Sequence, residues 1–365
     1  MWPVSAQFLA ALAAPHRLTT TATVTVPGGS PLTLNVESGS ISADATSRIR
    51  RTCSLSVEGD SSVYLACATP GAIFAITHGL VMGNTTETVP VFYGELAGDS
   101  EQQFGDGTIG LQLADHGNWL SRTRFLTPYT PAAATPRPTV ITNVVQAARP
   151  GTVVVNSSTD SGTVAASALW LEDGPLDVVS DLSTDGGLES YFGPDGTFNI
   201  RALQTITTPP VWSIQGGKHG TLKQASRKRL SDRLYNTVVV RPSALDGSQT
   251  WPQQVAQVDD LTNPRHPLYI GVVPYFWDSP TALTAAAAMN AAQKILARVL
   301  GTTESLSLEA ISNPALDVND VIRVTTPQIN TQVALSFQHY IDSLSIDVVS
   351  GAMTLATRSQ LVTDA

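Results

Sequence analysis

The amino-acid sequence predicts a mainly β protein that also contains α+β parts. The chain has 365 residues, of which 27 are Gly and 23 are Pro, and so many turn formers favour short strands joined by turns. Thr, Ser and Val are abundant, and polar and apolar residues alternate along much of the first 130 residues and again near the C-terminus. Because the length exceeds the usual range of a single domain, we expect about two to four domains.

Charge and hydropathy argue against nucleic-acid-binding and membrane-spanning classes of protein. The formal net charge is −9 and only 14% of the residues are charged, which argues against sequence-specific nucleic-acid binding through Lys and Arg. No stretch approaches the roughly 18 apolar residues of a membrane-spanning helix. The N-terminal stretch MWPVSAQFLAALAAPHR has no Lys or Arg before its apolar part, so we expect neither a signal peptide nor a membrane span.

The first predicted element is a short helix. Phe8, Leu9 and Leu12 share one face at helical spacing. Ser5 is a suitable N-cap and Pro15 is a stop signal. We expect this helix to dock on the β structure that follows it or on a neighbouring protein.

Strands dominate residues 16–130. The stretches TTTATVTVPGG, SPLTLNVESGSISADATSRIRRTCSLSVEG and SSVYLACAT alternate with period two, and Pro-Gly-Gly and Glu-Gly-Asp turns separate them. Further strands are predicted at residues 89–96 and 107–114. Five or more strands without a long helix predict an antiparallel sandwich or a small barrel that ends near Tyr129.

The two cysteines, Cys53 and Cys67, lie on consecutive predicted strands. A cross-strand disulfide would form only if the register placed them opposite each other. Disulfides are rare in proteins assembled in the cytosol, so two buried free thiols are the favoured interpretation.

The middle of the chain changes to an α+β pattern. Residues 130–138, TPAAATPRP, contain three prolines and predict a linker. Helical spacing follows at residues 139–149 and again at 175–191, until Gly186 and Gly187 interrupt it. The stretch SYFGPDGTFNIRAL then predicts a strand, a Pro-Asp-Gly turn and a second strand. These signals predict an α+β domain over residues 131–204, after a first domain over residues 1–130.

The second half of the chain predicts a second barrel with an insertion. Strands are predicted at VWSIQ and YNTVVVRP, and we expect both to pair with the C-terminal strands. Residues 205–245 and 302–365 would then form one barrel. Residues 246–301 would be an inserted region, consisting of a Pro-rich and aromatic-rich loop and the strongest helix of the chain, residues 280–300, with Thr281 or Thr284 as its cap.

Residues 308–359 are the most informative stretch. Asn313-Pro314 predicts a turn, after which Asp317 and Asp320 are expected to accept hydrogen bonds from local backbone N–H groups. HYIDSLSIDV and AMTLATRS predict a pair of strands joined by a short turn. The apolar residues that would anchor this stretch in a core are Leu316, Val318, Val321, Ile322 and Val324.

The sequence contains no recognisable catalytic constellation. The six histidines are scattered, and metal-binding spacings such as His-x3-His, Cys-x2-Cys and HExxH are absent, as is the Gly-x-Ser-x-Gly motif of serine hydrolases. We therefore predict no catalytic residue, no cofactor and no metal, and we do not expect an enzyme.

Two groups of residues are candidate interaction sites. A basic cluster lies within residues 218–233 and predicts either a docking patch for an acidic partner or a solvated face with local ion pairs; the two alternatives stay open. The cluster consists of Lys218, Lys223, Arg227, Lys228, Arg229 and Arg233. The inserted region carries aromatic side chains for which interface packing is favoured over stacking on a cell-surface glycan. These are Trp251, Tyr269, Tyr275, Phe276 and Trp277.

Several stretches together carry a family resemblance. SRIRRTCSLSV, VPVFYGEL, YFGPDGTFNIR, RLYNTVVVRP, the Ala-rich helix before NPAL and residues 308–359 resemble the hub proteins of phage tail tips and baseplates. More narrowly, the whole chain resembles a tail-protein family found in actinobacterial phages and prophages. The resemblance implies two tube-type β-barrels with α+β and helical segments, the first over about residues 16–130. In such hubs three chains form a pseudo-sixfold ring.

The resemblance implies a structural role in a virion. The protein would be a homotrimeric hub at the virion tail tip, assembled in the host cytoplasm, that joins the tail tube to the tip and bounds the central channel. Its partners would be a tail tube or distal tail protein, a tip, spike or fibre protein, and the tape-measure protein. The alternatives are a tail protein that binds a cell-wall glycan, the hub of a contractile injection system and a tail-associated cell-wall hydrolase.

Overall fold

The computed structural model describes most of the chain. It covers residues 1–14, 16–103, 107–165, 168–170, 173–204, 208–217, 220–229, 234–242, 253–300, 304–326 and 335–359. Pro15, the predicted stop of the first helix, lies outside the described residues. The predicted architecture, mainly β with α+β parts, is confirmed.

Short helices and many strands alternate along the chain. The helices are α1 (Ala6–Leu12), α2 (Ser61–Ala68), α3 (Gly117–Arg122), α4 (Arg137–Ala148), α5 (Pro175–Gly186), α6 (Pro267–Ile270) and α7 (Ala285–Val299). The strands of the first half are β1 (Arg17–Thr25), β2 (Leu32–Asp44), β3 (Arg51–Glu58), β4 (Ile73–Met82), β5 (Thr85–Gln102), β6 (Thr108–Asp115), β7 (Val154–Asn156), β8 (Leu188–Phe192) and β9 (Phe198–Ala202). Those of the second half are β10 (Trp212–Gln215), β11 (Leu222–Arg229), β12 (Thr237–Pro242), β13 (Gln254–Gln257), β14 (Pro274–Ser279), β15 (Glu304–Ala310), β16 (Val321–Thr326), β17 (Leu335–Asp347) and β18 (Met353–Ser359).

Strands β1 to β6 close into an antiparallel ring, which we call the first barrel. The order around the ring is β1, β4, β5, β6, β3 and β2, and β2 pairs back with β1 where Leu34 lies opposite Ala22. Val24, Leu55 and Phe74 are among the side chains that fill its interior. Helix α1 has its predicted cap, since Ser5 Oγ accepts a hydrogen bond from Phe8 N at 3.0 Å, and Phe8 and Leu12 are buried as predicted.

The prediction of a strand at SSVYLACAT is wrong, because this stretch forms helix α2. The Asp60 carboxylate accepts hydrogen bonds from Ser62 N at 2.9 Å and Val63 N at 3.2 Å, and this N-cap outweighs the strand preference of Val and Tyr. Cys67 therefore lies on a helix while Cys53 lies on β3. Both are free and buried, as the favoured interpretation predicted, and burial raises the pKa of Cys53 to about 12 and of Cys67 to about 11.

A second set of six strands, which we call the second barrel, adjoins the first. Its strand order is β10, β16, β17, β18, β15 and β11. Its two end strands, β10 and β11, are separated in the chain only by residues 216–221, and Gln215 N donates a hydrogen bond to Thr221 Oγ1 at 3.3 Å. The apolar anchors predicted in the C-terminal stretch are buried; Leu316, Val318, Ile322 and Val324 belong to the core of this barrel, and Val321 is 1% exposed.

Strand β17 connects the two barrels. Its first half pairs with β16, and its second half pairs along the same edge with β2 of the first barrel, from Ser343 opposite Asp44 to Asp347 opposite Ser40. The hydrogen bonds continue beyond the ladder, because Ala45 N donates to Asp342 O at 2.8 Å. The two barrels are therefore parts of one 12-stranded sheet.

One of the two predicted long-range pairings is confirmed and the other is wrong. VWSIQ forms β10, which pairs in parallel with β16 near the C-terminus. YNTVVVRP forms β12, which instead pairs with β13 and β14 in a separate three-stranded sheet. Val238 and Val240 of β12 pack against the Ala-rich face of α7, and this apolar surface explains why β12 lies there.

The inserted region is more regular than a loop. Residues 253–279 contain β13, α6 and β14, although Pro and aromatic residues predicted irregular structure. The predicted helix is present as α7, and Thr284 is its cap, accepting a hydrogen bond from Ala287 N at 3.1 Å. The division of the chain into four domains stays a prediction.

The middle of the chain has the predicted α+β form. Strands β7, β9 and β8 form a sheet that packs with α4 and α5 around Trp170 and Phe198. The predicted hairpin is confirmed as β8 and β9. Helix α5 ends where Gly187 takes the left-handed conformation (φ 59°), as its Gly-Gly sequence predicted.

A pair of glycines in the first barrel offers a matched test of the packing of β5 on β6. A methyl group on Gly94 of β5 would overlap the carbonyl oxygen of Ala114 on β6, whereas one on Gly110 of β6 would meet nothing within 4 Å. We expect Gly94→Ala to lower the free energy of unfolding by about 1–3 kcal/mol, because backbone atoms must move to accommodate it. Gly110→Ala should leave the stability unchanged or slightly higher. Urea unfolding of both variants measures the difference, and equal stability would contradict the described packing of β5 on β6.

Candidate functional site

A buried network of charged side chains joins both barrels and the α+β region, and we call it the ionic junction. Its residues come from the start of β3, from the hairpin β8–β9 and from the turn that precedes β16. They are Arg50, Arg51, Glu189, Arg201 and Asp317. Arg50, Arg51 and Glu189 are only 5%, 4% and 7% exposed, and the Asp317 side chain is 13% exposed, so charges from three parts of the fold meet with little contact with water.

The carboxylate of Glu189 binds residues from all three parts. It forms an ion pair with Arg50 of the first barrel. Arg201 Nε donates to its Oε2 at 2.7 Å, and Asn319 Nδ2, from the second barrel, donates to its Oε1 at 2.6 Å. Both carboxylate oxygens of Glu189 therefore accept hydrogen bonds, which offsets the cost of burying the charge.

The carboxylate of Asp317 binds the first barrel to the second. It forms an ion pair with Arg51, its Oδ1 lies 3.7 Å from Arg50 Nε, and Val318 N donates to Oδ1 at 2.7 Å. Arg50 also donates to the Val318 carbonyl at 2.7 Å, and its guanidinium lies 3.6 Å from the ring centroid of Tyr191. Arg50 is therefore held in place by hydrogen bonds, opposite charge and a ring face.

The electrostatics keep both carboxylates ionised. Burial alone would raise the pKa of Asp317, but the charges of Arg51 and Arg50 hold that pKa well below its usual range. Burial likewise opposes ionisation of Glu189, whereas Arg50 and Arg201 lower its pKa. The junction consequently holds buried charges of both signs at neutral pH.

Sequence reasoning anticipated only part of this arrangement. Asp320 does accept a hydrogen bond from a local backbone donor, Asp317 N at 2.8 Å, as predicted. The ion pairs of Asp317 with Arg51 and of Asp320 with the Met1 ammonium (2.5 Å) were not predicted. The available signal was the pair Arg50-Arg51 at the start of a strand in which Arg51 shares the buried face with Cys53, Leu55 and Val57, and a buried Arg calls for an acid nearby.

A second buried carboxylate attaches the inserted region to α5. Asp185 is 1% exposed and accepts hydrogen bonds from Trp277 Nε1 at 3.0 Å and Ser279 Oγ at 2.6 Å, as well as from Thr281 Oγ1. Burial raises the pKa of this carboxyl, and these donors oppose the rise. Trp277, a candidate interface aromatic, is thus engaged inside the chain.

The structure places the described part of the basic cluster on β11. Lys223, Arg227 and Lys228 are exposed on this strand, which pairs with β15; no second partner strand is found among the described residues. Lys223 Nζ lies 3.5 Å from Glu309, and the Arg227 guanidinium lies 5.6 Å from the ring centroid of Phe337. Lys218, Arg233 and the side chain of Arg229 lie outside the described residues. We call the three described residues the basic edge.

The described candidate aromatics divide into two groups. Tyr275 and Trp277 point from β14 towards α7 and are partly buried. Phe276 points to the other side of the sheet and is 54% exposed, and Tyr269 on α6 is 62% exposed. Trp251 lies outside the described residues. Of the four described aromatics, Phe276 and Tyr269 are therefore the two that are exposed, and their role at an interface stays a prediction.

Two further features are absent from the part of the chain that the structure describes. Among the described residues, no three His, Cys, Asp or Glu side chains are grouped so that they could hold a metal ion. Within the same ranges, no helix is both long and apolar enough to cross a membrane.

Comparison with solved structures identifies proteins of the same fold. A tail protein from Neisseria meningitidis matches with a TM-score of 0.61 and 13% identity, covering 93% of this chain and 96% of that one. The 43 kDa tail protein of prophage MuSo2 from Shewanella oneidensis matches with a TM-score of 0.58 and 13% identity over 93% and 98% of the two chains. A prophage tail protein from Listeria monocytogenes matches with a TM-score of 0.55 and 8% identity over 93% and 94%.

These matches extend over almost the whole of each chain. The resemblance to phage tail proteins is therefore confirmed as a likeness of fold. No family model and no curated protein matches the sequence.

Removal of one charge from the ionic junction should destabilise the protein strongly. Asp317→Asn removes the carboxylate that pairs with the buried Arg51 and leaves Arg50 with Glu189 alone, so we expect the free energy of unfolding to fall by about 3–5 kcal/mol at pH 7. Because the pKa of Asp317 is lower in the folded state, the wild-type advantage is present above the ordinary Asp pKa and shrinks as the pH falls below about 4.

The matched control is Asp278→Asn, which breaks the exposed pair with Arg241 (2.7 Å) and should cost less than about 1 kcal/mol. Urea unfolding at pH 7 and at about pH 3.5, below the ordinary Asp pKa, measures both variants. A loss for Asp317→Asn no larger than that of the control would show that the junction does not stabilise the fold.

Proposed function

We propose that this protein is a structural component of a phage tail, namely a ring-forming hub between the tail tube and the tip. The observation that supports this most is the joining of two β-barrels through β2 and β17 into one sheet, in a fold shared with tail proteins along almost its full length. Each chain therefore contributes two barrels at a fixed relative position. Three copies would supply six barrels around a channel.

The proposed role is geometric and not catalytic. A sixfold tail tube could rest on six barrels, while the three copies of the α+β and inserted regions would present a threefold arrangement to the tip. The partners would be a tail tube or distal tail protein on one side, a tip, spike or fibre protein on the other, and the tape-measure protein in the channel. The protein would be located at the virion tail tip after assembly in the host cytoplasm.

The basic edge is the proposed contact for one of these partners. Its Lys and Arg side chains are exposed in a chain whose net charge is −9, so an acidic partner would meet a local charge opposite to its own. Because no second partner strand of β11 is found in the part of the chain that the structure describes, this edge could also fix the direction of an added strand.

The assembly state tests the ring directly. We expect the purified chain to form a species of three times the chain mass by native mass spectrometry, and electron microscopy of that species should show a ring with six density lobes around a channel. A stable monomer at high concentration, or a ring of another order, would contradict the proposed hub while leaving the fold unaffected.

Neutralising the basic edge should impair assembly without unfolding the chain. We expect Arg227→Ser with Lys228→Ser to reduce the yield of complete particles at least about tenfold when it complements a phage that lacks the gene, because complementary charge guides docking. The thermal unfolding midpoint should change little, since both side chains are exposed.

The control variant combines Arg17→Ser with Arg124→Ser, which removes the same charge from exposed positions elsewhere. Equal particle yields from the two variants would favour the interpretation of the basic edge as a solvated face.

A further inference from the structure

A cleft of about 680 Å³ opens beside the ionic junction. Its walls come from the end of α5 and the start of β8, from the segment that follows β9, from the last turns of α7 and from β17 and β18. A smaller pocket of about 150 Å³ adjoins it and shares Arg298, Arg358 and Asn319 with its lining. The α+β region, the inserted region and the second barrel therefore all contribute to one concave surface, and its volume is in the range of peptide and small-ligand sites.

Two of the cations around this cleft already have a partner. Lys294 Nζ lies 3.3 Å from Asp160 and donates to the Gly186 carbonyl at 2.7 Å. Arg358 Nε lies 3.0 Å from Asp342 Oδ1. These pairs hold the walls of the cleft in place.

Arg298 differs from these two cations. It is exposed in the cleft, and its side chain makes no hydrogen bond or ion pair among the described residues. Although it is exposed, the cleft walls remove part of its hydration, and this desolvation, followed by the like charge of Arg358, lowers its pKa. Two guanidinium groups thus line the same space, and among the described residues Asp342 is the one carboxylate that forms an ion pair with either of them, through Arg358.

We propose that this cleft binds an acidic peptide segment of a partner protein, with a carboxylate placed between Arg298 and Arg358. A carboxylate suits this position because guanidinium groups bind it with paired, charge-assisted hydrogen bonds. The bound charge would also remove the repulsion between the two arginines. The binding does not require the ring proposed above.

The other walls of the cleft favour a peptide over a free anion. Leu188, Leu203 and Leu300 line it together with Ala202 and Ala297, so much of the surface beside the two arginines is apolar. A small inorganic anion would leave these side chains uncovered. An extended segment with acidic residues next to Leu would place its carboxylates on the arginines and its apolar side chains on this wall.

The test uses the full-length protein and a fluorescein-labelled peptide of sequence ELDLE, with fluorescence anisotropy as the readout. We expect saturable binding that weakens at least about tenfold in Arg298→Gln, since one charged hydrogen-bonding group is lost, and that disappears in Arg298→Glu. Because Arg298 has no side-chain partner among the described residues, both variants should keep the thermal unfolding midpoint of the wild type. Arg17→Gln is the charge-matched control and should bind as the wild type does.

Three results would overturn the proposal. The first is unchanged peptide affinity in Arg298→Gln, or a loss as large in Arg17→Gln. The second is equal binding of the neutral peptide QLNLQ, which would show that the apolar wall alone is recognised. The third is complete displacement of ELDLE by inorganic phosphate at the same concentration as the peptide, which would identify the cleft as a site for small anions.

Discussion

The architecture depends on one constraint, which is that Arg50 and Arg51 are buried and must be neutralised where they lie. The acids that neutralise them come from distant parts of the chain, Glu189 from the α+β region and Asp317 from the second barrel. Charges without partners in such surroundings are costly, so both neighbouring regions stabilise the first barrel by supplying these acids. The ionic junction therefore favours one relative position of the three regions over others.

The same principle recurs at the attachment of the inserted region. Asp185 at the end of α5 accepts hydrogen bonds from Trp277 and Ser279, so a buried carboxylate again fixes the position of a neighbouring unit. Apolar contacts alone allow several packing arrangements of similar energy, whereas buried polar groups need particular partners at particular distances. In this protein the polar contacts determine how the apolar cores are placed relative to one another.

The sequence predicted the elements better than their arrangement. Local signals were sufficient for α1 with its Ser5 cap, for α7 with its Thr284 cap and for the β8–β9 hairpin, because caps and turns act over a few residues. The strand prediction at SSVYLACAT failed because Asp60 caps a helix there, and β12 was assigned to the wrong sheet because its valines suit any apolar surface.

For the candidate site, the basic residues were visible as a cluster in the sequence. The partners that the ionic junction brings together were not visible, since Arg51 and Asp317, like Glu189 and Asn319, lie far apart in the chain and nothing local indicates the pairing.

The sharing of β17 between the barrels has a mechanical consequence. Bending one barrel against the other would break the backbone ladder that joins residues 40–44 of β2 to residues 343–347 of β17, so the two barrels move as one stiff body. In any assembly of several chains, compliance would then be confined to the contacts between chains. Contacts between barrels within a chain would be rigid, and contacts between chains would be flexible. A ring of such chains would therefore bend at half as many positions as it has barrels, because every second contact between barrels lies within a chain.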